Sequence, residues 1–305
     1  MDTEKYHRMK DLPAEHLLGT GTAMCSGCGG LEALHQAYDV LGSKNIFVNA
    51  AGCMTMLSVY PLTPFKGSWL YTAMASSPAG AQGVRDALDI LIEQDRLPAH
   101  EDLNVITLTG DGSASGIGMS ATSSAIERGL DFLYICYDNE GYGNTGQQYS
   151  ASTPHGARTA TSKGREGFSG DKKDLFAIWA AHGPAYMATV IGSEPLDLAQ
   201  KMETASKIKG PKLIIAFSPC PTGWDYDPAE TVTIGKLAVK TGIWPLKEYQ
   251  DGRVVHTRNP GKKRVPVEEY LRLQGRFRHL FEPRTNTEML QDIQSRVDNY
   301  WAAVD

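Results

Sequence analysis

Nowhere does the sequence run to the roughly 20 uninterrupted apolar residues that a membrane helix requires, so no membrane span is expected. The opening residues Met1-Asp2-Thr3-Glu4-Lys5 lack the basic-then-apolar pattern of a secretory leader, which points to a cytoplasmic protein. Clustered basic charge is scarce. The chain carries 30 Lys and Arg against 35 Asp and Glu, for a net charge of -5, and its basic run Gly261-Lys262-Lys263-Arg264 is short and follows a proline. A phosphate-tracking nucleic-acid surface is therefore not expected. Low-complexity segments and internal repeats are also missing. Cysteine is sparse and odd in number, with five residues at positions 25, 28, 53, 136 and 220. A disulfide framework would want an even count in a small secreted chain, so these cysteines need another explanation.

What is present is an ordinary globular composition, 41% hydrophobic and 21% charged, in 305 residues. At roughly 150 residues per domain this allows two domains or one large α/β domain, either of which buries a core without staples. From Asn45 onward, short apolar β-branched runs alternate with longer amphipathic stretches. Strands are expected at Asn45–Asn49, Asn104–Leu108, Phe132–Tyr137, Tyr186–Ile191 and Lys212–Phe217. Helices are expected at Leu31–Leu41, Ala79–Gln94, Ser115–Arg128, Lys173–His182 and Pro195–Ile208. The alternation predicts an α/β fold, a doubly wound and mostly parallel sheet with helices on both faces, whose ligands collect beyond the carboxyl ends of the strands. After Pro221 the alternation stops. Residues 1–224 are expected to form the ligand-binding domain, and 225–305 an irregular extension packed on it, ending in a helix from about Thr287 to Trp301.

Three constellations sit at the expected strand ends. Gly110-Asp111-Gly112 follows one strand, and Asp138-Asn139-Glu140 follows the next. Glycines let a backbone approach a diphosphate, Asp111 and Asn139 offer oxygens to a small hard cation, and a helix starting near Ser115 would aim its dipole at the same anion. A plain βα turn with no ligand is the competing reading. The loop Gly141-Tyr142-Gly143-Asn144-Thr145-Gly146-Gln147-Gln148 could wrap a ligand, with Asn144 and Thr145 as neutral donors to a carboxylate, or could simply be flexible. Cys25-x-x-Cys28, Cys53 and Cys220 come from three segments that could meet at one rim of the sheet. Four thiolates there suit a [4Fe-4S] cluster or a structural zinc, and the wide split of the second pair favours the cluster. A thioredoxin-like dithiol and buried apolar cysteines are alternatives. Cys136 lies inside an expected strand and is read as packing.

From about Leu18 to Leu280 the sequence resembles the thiamine-diphosphate-binding β subunit of the 2-oxoacid:ferredoxin oxidoreductases, the pyruvate synthase group. The resemblance rests on Cys25-Ser26-Gly27-Cys28-Gly29, Ala51-Gly52-Cys53, Gly110-Asp111-Gly112, Tyr134-Ile135-Cys136-Tyr137-Asp138-Asn139-Glu140, Asn144-Thr145-Gly146, Pro219-Cys220-Pro221-Thr222-Gly223-Trp224 and Gln274-Gly275-Arg276-Phe277. Each motif is weak alone; their joint order and spacing are specific.

The resemblance implies a thiamine-diphosphate-binding fold in which Gly110, Asp111, Gly112, Ser113, Asn139, Gly141, Asn144 and Thr145 surround the cofactor. It implies Mg²⁺ held by Asp111, Asn139 and the Gly141 carbonyl, and a [4Fe-4S] cluster on Cys25, Cys28, Cys53 and Cys220. Asn144 would face the reacting carbon of the cofactor. The implied reaction is oxidative decarboxylation of a 2-oxoacid, with coenzyme A as the expected acyl acceptor and ferredoxin or a similar protein as electron acceptor. Only Cys136 is left over, so further clusters must sit on other subunits. The carboxylate that activates thiamine is likewise expected from a partner, although Glu32 and Glu140 are present. The chain departs from pyruvate-type members at Lys66-Gly67-Ser68-Trp69, Tyr71, Met74-Ala75-Ser76 and Gly116-Ile117-Gly118, which keeps oxalate and phenylglyoxylate open as substrates. A non-redox thiamine decarboxylase or carboligase with a structural metal, and a non-catalytic electron-transfer subunit, are the remaining alternatives.

Overall fold

The computed structural model describes residues 5–304 apart from 59, 60, 62, 163, 165 and 166. Met1–Glu4, which carry most of the leader reading, lie outside the described residues. No helix among the described residues is long and apolar enough to cross a membrane.

The strands are β1 (Asn45–Ala50), β2 (Ser68–Thr72), β3 (Asn104–Gly110), β4 (Phe132–Asp138), β5 (Tyr186–Ile191), β6 (Pro211–Phe217), β7 (Lys247–Gln250) and β8 (Arg253–His256). They form one sheet in the order β2-β1-β3-β4-β6-β5-β7-β8, parallel from β2 through β5 and antiparallel at β7 and β8. β4, β5 and β6 are buried at every position. Central parallel strands are covered on both faces, which is why their sequences read as continuous apolar runs. Cys136 pairs in register with Thr109 and Ile215 and is fully buried, as packing in a strand requires.

Helices α1 (Gly29–Leu41) and α5 (Pro195–Lys207) cover one face, packing Leu34, Tyr38, Leu198 and Met202 onto Phe47, Leu108, Ile135 and Val190. Helices α2 (Ser77–Glu93), α3 (Met119–Glu127) and α4 (Leu175–Ala180) cover the other, where Leu88, Ile126 and Trp179 meet Val105, Tyr134 and Leu213. The expected helix at Ser115 is displaced. A wide turn occupies Ser113–Ile117, and regular helix begins only at Met119, because Gly116 leaves helical space at φ -123°, ψ -112°. Such wide turns recur at ligand sites.

The structure adds elements that the sequence pattern did not predict. β2 is an edge strand in which no position is buried and Ser68, Leu70 and Tyr71 are exposed. The segment after Asp225, expected to be irregular until its last helix, contains α7 (Thr231–Lys240), α8 (Val267–Arg272), α9 (Thr287–Ala302) and the β7–β8 hairpin, preceded by the one-turn α6 (Pro221–Trp224). The hairpin turns at Asp251-Gly252, both left-handed at φ 51° and 76°, as tight two-residue hairpins demand. β7 then pairs with β5 through Met187 and Tyr249 and extends the sheet.

Candidate active site

The chain enters the sheet at β1, steps outward to β2, then returns to the other side of β1 as β3. That reversal is a topological switch point, where neighbouring connections diverge and leave a crevice beyond the strand ends. Four of the residues singled out in the sequence follow the strands on this side. Cys53 follows β1, Asp111 follows β3, Asn139 follows β4 and Cys220 follows β6, which are four adjacent strands.

Asp111 is fully buried, and Ser150 Oγ donates to its Oδ2 at 2.5 Å. Burial, then the charge of Asp138, pushes its carboxyl well above the ordinary carboxylate range. The side-chain amide of Asn139 lies 2.8 Å from both Asp111 Oδ1 and the Gly141 carbonyl. With the amide oxygen turned toward them, three oxygens converge, an arrangement that repels unless a cation sits among them; with the amide turned over, its nitrogen donates to both. The chain reverses sharply here through Glu140, left-handed at φ 60°.

The glycine loop after it is closed rather than slack. Tyr142 N donates to the Gln148 carbonyl at 3.0 Å, and Gln147 N to the Tyr142 carbonyl at 3.0 Å. The Tyr142 hydroxyl donates to the Gly112 carbonyl at 3.2 Å, joining this loop to the Gly110-Asp111-Gly112 turn. Ser113 Oγ donates to the Met74 carbonyl at 2.5 Å, tying in the divergent segment after β2. Asn144 and Thr145 are exposed at the tip, where Thr145 Oγ1 donates to the Tyr142 carbonyl at 3.3 Å.

The thiols gather beside this loop. Cys28 caps α1, its Sγ accepting from Leu31 N at 3.4 Å, and Cys220 caps α6, accepting from Gly223 N at 3.3 Å. Gly29 N donates to the Pro219 carbonyl at 3.0 Å, drawing the two cysteine segments together. Any side chain at Gly29 would start 2.7 Å from the Pro219 ring, so only glycine permits the contact. Burial, then the charges of Cys220, Cys28 and Cys25, pushes the Cys53 thiol up to about 12. Burial also raises Cys220 to about 11, with Cys28 and Cys25 adding to it. Cys53 Sγ is 3.3 Å from the point where a side chain at Gly143 would begin, so thiols and glycine loop are in contact.

Behind the loop lies a buried ion network that sequence reasoning missed. Lys172 Nζ donates to Asp138 Oδ2 at 2.8 Å and to Glu140 Oε1 at 3.0 Å, and Arg276 Nη2 donates to Glu140 Oε2 at 2.7 Å. Arg276 also stacks 3.7 Å over Trp224. Glu140 is thus fully engaged and is not a free carboxylate for activating a cofactor. Glu32 is half-buried on α1, and burial raises its carboxyl. Asp138, Glu140 and Arg276 lie within motifs carrying the resemblance, but nothing in the sequence signalled that Lys172 joins them.

Residues 50–216 match the thiamine pyrophosphate enzyme, C-terminal TPP binding domain. The chain is 43% identical over 292 residues to pyruvate synthase subunit PorB of Methanothermobacter thermautotrophicus, covering 94% of this chain and 97% of that one. The chain belongs to the 2-oxoacid:ferredoxin oxidoreductase family, as its thiamine-diphosphate-binding subunit. A ketoisovalerate oxidoreductase subunit VorB, from Pyrococcus abyssi, is 38% identical over 293 residues, with 94% and 93% of the two chains covered. Among solved structures, the 2-oxoglutarate:ferredoxin oxidoreductase from Magnetococcus marinus shares the fold, with a TM-score of 0.58 and 24% identity over 72% of each chain. The subunit is therefore part of an oxidoreductase that works as a multi-subunit complex.

Proposed function

We propose that this subunit carries the reaction centre of a pyruvate-oxidising complex, binding thiamine diphosphate through Mg²⁺ and a [4Fe-4S] cluster beside it. The observation that supports the reading is the contact between Cys53 and the Gly143 loop, since a cluster on Cys53 would then lie beside a cofactor held by that loop. Thiamine diphosphate, when bound, supplies a ring that accepts the electron pair left behind as carbon dioxide leaves a 2-oxoacid. Asp111 and Asn139, with the Gly141 carbonyl, would hold Mg²⁺, since the Asn139 amide lies 2.8 Å from both other oxygens and, with its own oxygen turned toward them, completes the oxygen set that a hard cation takes. The Gly110-Asp111-Gly112-Ser113 turn, with Tyr142 laid over Gly112, bounds the diphosphate side. Asn144 and Thr145 stand at the open end, where neutral donors meet a substrate carboxylate without adding a charge.

Cys25, Cys28, Cys53 and Cys220 fit an iron-sulfur cluster better than zinc. Among the described residues no three of these thiols lie within 4.8 Å of one another. A tetrahedral zinc would draw its sulfurs to about 3.8 Å apart, given Zn–S near 2.3 Å, whereas a cube with an iron behind each ligand holds them further apart. Backbone N–H groups already point at Cys28 and Cys220, and hydrogen bonds to the sulfurs are among the factors that set a cluster's reduction potential. With Cys136 locked in β4, electrons leave through clusters on partner subunits to ferredoxin or a similar acceptor. Glu140 being consumed by Lys172 and Arg276, the activating carboxylate comes from a partner as well. Coenzyme A takes the acyl group.

Pyruvate is the proposed substrate from the PorB kinship, with ketoisovalerate favoured next by the VorB kinship. The test is anaerobic mixing of the assembled complex with pyruvate, ketoisovalerate, oxalate or phenylglyoxylate, with and without coenzyme A, while cluster reduction is followed by electron paramagnetic resonance. Fastest reduction by pyruvate is expected. Carbon dioxide release with no cluster reduction would instead support a non-redox decarboxylase.

A further inference from the structure

Away from the reaction centre, a cavity of about 400 Å³ opens between the β5–β7 end of the sheet and helices α4, α8 and α9. Its walls are mainly apolar, formed by Phe176, Trp244, Leu271, Phe277, Ile293 and Val297. The volume is within the range of small-molecule sites.

The charged groups on its walls are not equivalent. Every carboxylate is engaged. Asp138 and Glu140 hold Lys172, Asp171 pairs with Arg296, and Asp174 caps α4 by accepting from Ala177 N at 2.9 Å. Of the cations, Lys172 and Arg296 are paired and Lys173 Nζ donates to the Ser115 carbonyl at 2.7 Å. Lys247 differs. It has no carboxylate within salt-bridge distance among the described residues, and its ammonium donates only to the Tyr300 hydroxyl at 3.2 Å while lying 4.3 Å over the Phe176 ring. The Tyr300 hydroxyl is held in turn by His256 Nε2 at 2.8 Å. Burial pulls the Lys247 ammonium below its ordinary value, with only the distant charge of Asp174 acting against this. An ammonium left without a counter-charge in apolar surroundings is costly, and a ligand carboxylate would relieve that cost.

We propose that this cavity binds an apolar monocarboxylate, with its carboxylate on Lys247 and the Tyr300 hydroxyl and its hydrocarbon body against Phe176, Trp244 and Val297. Lys173, the other wall ammonium with no carboxylate within salt-bridge distance among the described residues, is committed to the Ser115 carbonyl, so the carboxylate is placed on Lys247. Asp138 and Glu140, which flank Asn139, also line the cavity, so an occupant would stiffen the turn that carries the Asn139 amide.

Octanoate and octanol, which share chain length and differ in charge, are the probes. Calorimetric titration of the assembled complex is expected to show octanoate saturating at about one per subunit and binding at least about tenfold more tightly than octanol. Lys247→Met should remove that preference, leaving octanol unchanged. Val297→Phe, which fills the cavity and keeps the lysine, should weaken both and stands as the second variant if Lys247→Met fails to fold. Equal binding of the two probes, octanoate binding insensitive to both variants, or no binding at all would overturn the proposal. Binding to the free subunit that vanishes in the complex would also overturn it, assigning the cavity to a partner's side chain.

Discussion

The indole Nε1 of Trp224 donates to the backbone carbonyl of Asn139 at 2.9 Å. Trp224 belongs to the segment that carries Cys220, and Asn139 carries the amide facing Asp111, so one hydrogen bond joins the thiol loop to the oxygen cluster. Gln147 Nε2 reaches the same carbonyl at 3.4 Å and is the weaker tie. A shift in either loop therefore reaches the other through a buried, directional contact.

Trp224→Phe keeps a ring under the Arg276 guanidinium but removes the N–H together with part of the fused ring of a fully buried side chain. Loss of a buried partner costs about 1–3 kcal/mol, to be read as a lower denaturant midpoint. Thiamine diphosphate affinity is expected to fall with it, because the Asn139 carbonyl loses its main anchor. An unchanged midpoint and affinity would show that the two loops are held independently.

Lys172→Met should be more damaging than any nearby apolar truncation of similar size. Desolvation pulls the Lys172 ammonium down, but Asp138 and Glu140 outweigh it and hold it above its ordinary value. Removing it leaves two adjacent buried carboxylates with Arg276 alone. Breaking a buried pair costs roughly 3–5 kcal/mol, and the adjoining cavity, by admitting water, places this case near the lower end, about 3 kcal/mol. Thermal denaturation of the variant subunit in the complex measures it.

Five strands were legible because central parallel strands are apolar on both faces, as Phe132–Asp138 and Pro211–Phe217 are. β2 was not, since an edge strand such as Ser68–Thr72 is half exposed and carries no such run. The β7–β8 hairpin is polar and short, and its Asp251-Gly252 turn was a visible signal read only as irregularity. Cys53, Cys220, Asp111 and Asn139 stood out in the sequence because each follows a strand, and Cys28 because it begins a helix. The Lys172–Glu140–Arg276 network did not. It joins residues 32 and 136 positions apart, and no local periodicity encodes a buried ion pair.

His256 gives the folded state a pH dependence near neutrality. Burial, then the charges of Lys247 and Lys201, holds its imidazole below the ordinary value of 6.5. A depressed pKa means the unfolded chain takes up the proton first, so the stabilisation is present above about 6.5 and is lost as pH falls through the folded value. The denaturation midpoint is expected to fall between pH 7 and 5 by more in the native subunit than in His256→Asn. Parallel curves would remove His256 as the cause.

Thiol reactivity in cluster-free protein should follow burial. Cys25 is exposed, Cys28, Cys53 and Cys220 are half-buried, and Cys136 is buried. Because the thiolate is the reactive form, raised pKa values slow Cys53 and Cys220 further. Iodoacetamide labelling followed by peptide mass spectrometry is expected to modify Cys25 first and Cys136 only on unfolding. Early labelling of Cys53 would contradict the arrangement.

The most direct test is metal and cofactor content of the subunit complex purified without oxygen, compared with Cys53→Ala. The cluster assignment predicts that the substitution removes about four iron and four sulfide per subunit and leaves thiamine diphosphate bound. Equal iron in both preparations, or zinc bound in place of iron at these thiols, would contradict it.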